Sequence, residues 1–353
     1  MAEDWNMDDL HSAFLAELEK GFADHDLDDR EVQAAIGRVF EEVLSSQVIA
    51  LGKDLAAREQ DMLVDRRAEQ QGFVERNLDR WKEGFDKLER LIVMSEELGA
   101  AIASVLGAAA SENNDALYEA LVSNHARAVL TAREILCLMM NGFPDGALAR
   151  WRTLHEVAII SQFISKHGTD TAEAFIEHRH WLSYQRALNY QNHHERAKLT
   201  PFEGAELADL KELSEMVLAK RGPDLASDYG WAAAALGKRR PKFSDLEAVT
   251  GLDHWRPRYK WSSTVNHGAY LAPLQGLGTS ETVEAVRLVG QSNSGMTDPG
   301  HMTAITLTHA TLPVLMMDPN LDRMAIFKIM LHLSDEIGDA FVACSEKPPP
   351  DTD

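Results

Sequence analysis

The sequence predicts an all-α fold, a multi-helix bundle with an acidic N-terminal helical arm, on three observations. Apolar residues recur at three- and four-residue spacing along most of the chain. The β-branched alternation of half-buried strands is essentially missing. Capping residues, Gly and Pro stand where the apolar stripes begin and end. No segment repeats at a fixed period of about 20–50 residues, which sets solenoids aside.

The elements follow in order. Residues 1–70 hold 18 Asp/Glu against 7 Lys/Arg, a net of −11 from a chain whose total is −21. Phe14, Leu15 and Leu18 form one stripe there, and Val32, Ile36, Val39 and Val43 a second. Such helices are amphipathic, so their apolar face needs a partner in the main body or in another subunit. From Gln71 to Leu106 the helical pattern continues through Phe73, Leu78, Trp81, Phe85, Leu88 and Leu91. Asp115 is placed to cap a helix over about 116–140, and Asn141-Gly142 to end it. Pro144 suits the first turn of the next helix, which runs to about Lys166. Its second half, Val157–Ile164, is apolar nearly all round and marks it as the central packed helix. A helix then starts at Thr169 or Asp170 and runs to about Gln191, and shorter ones lie near 203–220 and 224–237. Lys238–Trp261 reads as irregular, with Pro241, Gly251 and Pro257, and a helix follows near 258–272. Gly276–Gly300 reads as loop with one short helix around Glu281–Val289, before two last helices at about 299–317 and 320–345. Three regions result: the arm at 1–70, the main bundle at 71–345 and a Pro-rich disordered tail at 346–353.

Composition narrows the function classes. The chain has 353 residues, 45% hydrophobic and 26% charged, which is ordinary for a globular protein. Cys137 and Cys344 are too few for a disulfide framework or a Cys-rich zinc module. The acidic start lacks the basic region of a secretory signal. The longest apolar-and-small run, Leu98–Ala110, has thirteen residues, short of the ~20 that span a bilayer. The expectation is a cytoplasmic protein that engages no membrane. A P-loop is missing, Gly276-Leu-Gly278 lacks the third glycine of a dinucleotide fingerprint, and Gly290–Gly295 misses nucleophile-elbow spacing. One Glu-x-x-His, Glu177 to His180, falls short of a di-iron bundle, so neither a metal nor a cofactor is expected.

Polar residues that interrupt apolar stripes are the candidates for chemistry. Arg152 and Glu156 stand one turn apart on the central helix, in line with Ala149, Ile159 and Phe163. If that face is buried, each ion needs a partner to offset lost hydration. An internal salt bridge would do this, as would a paired charge on the floor of a pocket. His178 shares the face of Phe175 and Leu182, which suits a hydrogen-bonded core histidine or an acid–base group. Tyr259, Ser263 and His267 form a stripe at four-residue steps, close enough for a hydroxyl and an imidazole to interact. Arg152, Glu156, His178 and His267 together form the candidate site. If there is catalysis, these four are expected to converge.

Three segments carry a family likeness: Gly146–Glu156 with its R-x-L-x-E (Arg152, Leu154, Glu156), Phe175–Arg179, and Tyr259–Gly268 with its Y-x-x-x-S-x-x-x-H (Tyr259, Ser263, His267). Over about residues 115–315 the chain resembles the bacterial family called domain of unknown function 5677. The resemblance implies an all-helical fold and this residue cluster, and no reaction, because the family has no established activity.

Two classes of function are in view. One is a nucleic-acid-directed enzyme like the HEPN ribonucleases, helical bundles of toxin and phage-defence systems marked by Arg, four to six residues, then His. Arg150 to His155 and Arg186 to His193 fit, at a frequency chance alone supplies. A local charge reversal adds to it. Between Lys238 and Trp261 seven Lys/Arg face three acids, with aromatics interleaved. Arg239, Arg240, Lys242, Trp255, Arg256, Arg258, Lys260 and Trp261 would suit single-stranded nucleic acid or a nucleotide. The other class is non-catalytic. Residues 1–70 would bind a partner protein or form a homodimer, or the Arg152 cluster would sense a small ligand between helices.

Overall fold

The computed structural model describes residues 9–22, 29–267, 275–282 and 287–348, and no strand occurs among them. Val32 and Val43 of the second stripe, residues 268–272 of the helix expected near 258–272, part of the Glu281–Val289 segment and the end of the tail lie outside the described residues or side chains. The chain divides into two compact units, Met1–Phe73 and Val74–Asp353.

Unit 1 contains helix α1 (Asp9–Phe22) and the first part of α2 (Asp29–Asn113). The two apolar patterns of residues 29–106 therefore belong to one continuous helix of 85 residues. Within Val48–Asn113 of α2, one window is long and apolar enough to cross a membrane by length and composition alone, with 22% of it buried. Glu96 and Glu97 split this window in the sequence, which is why the uninterrupted run there is only Leu98–Ala110.

Unit 2 is built around α4 (Pro144–His167), which packs against α3 (Ala116–Met140), α10 (Thr297–Leu315), α9 (Arg256–Asn266) and α8 (Phe243–Thr250). Ala147, Leu148, Trp151, Leu154, Ala158, Ile159, Phe163 and Ile164 are all fully buried, as an all-round apolar helix requires. Asp115 caps α3 by accepting from the backbone N–H groups of Leu117 and Tyr118, each at 3.0 Å. α5 (Thr169–Ala197) and α6 (Gly204–Arg221) pair beside this centre. Arg221 clamps them, reaching Asp170, Glu173 and Glu177 at 2.6–2.7 Å.

The single helix expected near 224–237 is instead two 3-10 turns and α7 (Ala233–Leu236). Gly230 sits so close to the Leu225 carbonyl that a Cβ there would fall 2.2 Å from its oxygen, so the chain doubles back where a regular helix would continue. Conversely α8 occupies a stretch expected to be irregular. The closing helix α11 (Leu321–Ser345) buries Phe341 between two glycines, Gly84 of α2 and Gly300 of α10, whose missing side chains make room for the ring.

Two polar devices complete unit 2. Arg80 is buried and donates to the carbonyl of Asn293 (2.9 Å), the carboxylate of Glu281 (2.7 Å) and the carbonyls of Ser345 and Lys347. It thus holds the loop before α10 and the end of α11 against α2. Pro313 lies inside α10 and cannot donate to the carbonyl of His309, four residues back. Gln162 of α4 takes over that role, its Nε2 donating to the His309 oxygen at 3.1 Å. Gln162→Leu keeps the volume and removes the donor, so it is expected to cost about 1–3 kcal/mol in urea denaturation. A change under ~0.5 kcal/mol would mean that water already satisfies this carbonyl.

Candidate functional site

Helices α4 and α9 each contribute a pair of side chains one turn apart, and the pairs interlock. Arg152 Nε donates to Glu156 Oε1 at 3.2 Å along α4. Arg152 Nη1 crosses to Ser263 Oγ on α9 at 3.0 Å, and Tyr259 OH donates to Glu156 Oε1 at 2.5 Å. The guanidinium also lies 4.6 Å from the centre of the Tyr259 ring, a cation–π contact. Ser263 Oγ donates back to the Tyr259 carbonyl at 2.9 Å. Arg152 and Glu156 remain 26% and 31% exposed, so solvent reaches the pair.

The electrostatics keep the arginine charged and the neighbouring phenols neutral. Burial opposes the charge on Arg152, but Tyr259 and Glu156 outweigh it and raise its pKa. Burial, and then the Glu156 carboxylate, push the Tyr259 phenol well above its usual range. Tyr229 is pushed up to about 12 by burial first, then by Glu156 and Asp228, with Arg152 opposing. Both phenols therefore stay protonated near neutral pH, and Tyr259 donates its proton to the Glu156 hydrogen bond.

A sealed layer lies beneath. His155 of α4 is buried against Trp151, with ring centres 5.1 Å apart. Its Nε2 is 3.4 Å from Oε1 of Glu247, a fully buried carboxylate of α8 that also pairs with Arg256. The rings of Phe243 and Tyr259 close the other sides of the imidazole. Glu247 and Tyr229 were not singled out for a site by sequence. His155 entered only through its spacing from Arg150, and Glu247 shows no local signal at all.

The structure thus joins Arg152 to Glu156, while the described contacts of the two expected histidines lie elsewhere. His178 of α5 is buried, with Nε2 2.9 Å from the Ser227 carbonyl oxygen and its ring stacked on Trp181. Burial is the main force holding its pKa below the usual imidazole value. His267 follows the last turn of α9, is exposed, and donates its backbone N–H to Ser263. Arg150 pairs with Glu134, away from the buried His155, so this Arg–His spacing makes no joint site.

Much of the basic stretch is neutralised locally. Arg239 pairs with Asp224, Lys238 with Asp245, Arg256 with Glu247 and Arg258 with Asp298. Trp255 and Trp261 are half-buried against the core, and Arg258 lies over the Trp261 ring. Arg240, Lys242 and Lys260 are exposed and have no ion pair among the described residues. Nor do the described residues include a group of three or more His, Cys, Asp or Glu able to hold a metal ion.

Residues 118–282 match DUF5677, a family of unknown function. Over this segment the chain is similar to that family. The match runs from within α3 to just past the 3-10 turn Leu277–Thr279. The matched segment therefore contains the whole Arg152–Glu156–Tyr259–Ser263 cluster and the sealed layer under it. Helices α10 and α11 lie beyond the match, although α10 packs directly on α4. No curated protein and no solved structure matches the chain.

Proposed function

We propose that the DUF5677-like segment is a non-catalytic binding module for a small polar ligand, seated on Arg152, Glu156 and Tyr259. The observation that carries this is the partly exposed ion pair itself. Arg152 spends Nε, Nη1 and one ring-facing side on the protein, and Glu156 spends Oε1. Nη2 and Oε2 have no hydrogen bond among the described residues, so the pair presents a donor beside an acceptor. A carboxamide or a nucleobase edge offers the complementary pair.

The same geometry argues against chemistry. A nucleophile needs a base within hydrogen-bond reach, and Ser263 donates to a backbone carbonyl instead. A general base near neutral pH needs a pKa near 7, whereas both phenols are pushed upward. The nearest imidazole, His155, is enclosed. RNA cleavage in the HEPN manner has correspondingly less support than binding.

Thermal unfolding of the whole protein against nucleosides and primary amides tests the proposal. At about 100 times its Kd a bound ligand adds ~2.7 kcal/mol, and a domain of this size should melt roughly 5 °C higher. Arg152→Lys keeps the charge and loses the planar fork, so the shift should vanish. The proposal fails if neither class shifts the wild type, or if the lysine variant shifts equally.

A further inference from the structure

A cavity of about 410 Å³ opens between α2 and α3, with the buried Val314 of α10 in its wall. The sequence of α2 creates it. Gly99, Ala100 and Ala103 line the cavity and, three and four residues apart, share one face of that helix. Their side chains are too short to fill the space between helices whose axes stand about 8–10 Å apart. Across from them Val122, Ala126, Val129 and Leu130 of α3 share a face in the same way. The walls are therefore mostly apolar, and the volume lies within the ~300–1,000 Å³ of small-molecule sites, which helical bundles place between helices.

His125 brings one polar atom to these walls. It is 4% exposed and lines the cavity. Thr311 Oγ1 gives its one hydrogen to the Leu307 carbonyl at 2.9 Å, so toward His125 Nε2, 3.3 Å away, it can only accept. Nε2 therefore carries the imidazole hydrogen, and Nδ1 keeps a bare lone pair. Burial holds the pKa at about 4, so the ring is neutral at pH 7. Nδ1 has no hydrogen bond among the described residues. Gly99, which packs on that edge of the ring, has no side chain to cover it, and a Cβ there would fall 2.7 Å from Nδ1. A buried acceptor without a donor is a cost to the folded state that an incoming donor relieves.

We propose that this cavity binds a small neutral molecule with an apolar body and one hydroxyl group, which donates to His125 Nδ1. A carboxylate has no hydrogen to give, and an ammonium would lose its hydration against alkyl walls. The charges at the rim are already balanced, because Arg133 pairs with Glu96. This site shares no residue with the one at Arg152, and each stands or falls alone.

Calorimetric titration of the full chain at pH 7.5 tests this with para-propylphenol and with para-propylanisole, which has the same body and no donor. The phenol should bind with a Kd below about 1 mM, and the ether about tenfold more weakly. Ala126→Phe places a ring in the cavity from an exposed position, so phenol binding should weaken by about tenfold or more while Tm moves by less than about 2 °C. If Tm falls further, Ala100→Leu fills the same space from an exposed position on α2 and carries the same expectation. Arg152→Lys should leave the affinity for the phenol unchanged, which separates this site from the other. A wild type that does not bind the phenol at millimolar concentration overturns the proposal. So do equal affinities for phenol and ether, or a folded filled variant that binds the phenol as the wild type does.

Discussion

Glu281→Ala is expected to destabilise the protein by about 3 kcal/mol, although it removes a side chain that is itself 31% exposed. The cost arises at the other end of the pair. Arg80 is 2% exposed, and Glu281 is its one carboxylate partner among the described residues. Without it a buried guanidinium keeps its charge and loses its counter-charge. The figure lies at the lower end of the usual ~3–5 kcal/mol for breaking a buried pair, because three carbonyls still accept from Arg80. The decisive comparison is Arg80→Met/Glu281→Ala. Methionine replaces the stem and removes the charge, so the double variant should recover to within about 1 kcal/mol of wild type. Urea denaturation of the wild type, both single variants and the double variant closes the cycle. If the two single costs simply add, the pair is not what sets the stability here.

This clasp also marks where sequence reasoning stops. Glu281 and the carbonyls of Ser345 and Lys347 lie 201, 265 and 267 residues beyond Arg80, and no local spacing links them to it. What was legible is local. Asp115, Asn141-Gly142 and Pro144 bound two helices because capping and proline geometry are decided within a few residues. Pro241, Gly251 and Pro257 were read as marks of irregular chain, yet they punctuate short helices. Gly251, at φ 72°, ends α8, and Pro257 sits in the first turn of α9.

The candidate site divides the same way. The pairs Arg152–Glu156 and Tyr259–Ser263 are visible as i, i+4 neighbours on their own helices. Their interlocking is a tertiary fact that neither stripe contains. His178 does share the apolar side of its helix, but the partner it finds is the Ser227 carbonyl. Glu247 shows the limit most sharply. Two residues earlier in the same short helix, Asp245 remains 25% exposed and pairs with Lys238, while Glu247 is wholly buried. Nothing in the sequence separates those two carboxylates.

Acid should unfold this protein earlier than its carboxylates alone would require, and His125 supplies the largest part of the effect. Its imidazole is 4% exposed at the meeting of three helices, with Nε2 3.3 Å from Thr311 of α10 and the ring pressed against Gly99 of α2. Burial lowers its pKa to about 4, against 6.5 for a free imidazole. The folded state therefore resists a proton that the unfolded chain accepts readily. The stabilisation is complete above about pH 6.5 and is lost as the pH falls toward 4, by about 3 kcal/mol in all. His178 and His309 are held low, chiefly by burial, and act in the same direction. His125→Asn removes the proton site and leaves the carboxylates and the other histidines unchanged. The difference between the two proteins in urea denaturation, referenced to pH 7.5 where His125 is neutral, thus isolates this one group. Between pH 6 and 4.5 the wild type should lose stability faster than the variant by up to ~1.4 kcal/mol per pH unit. Parallel curves would mean that His125 is protonated as easily in the folded protein as in water, and that its burial is breached well before the protein unfolds.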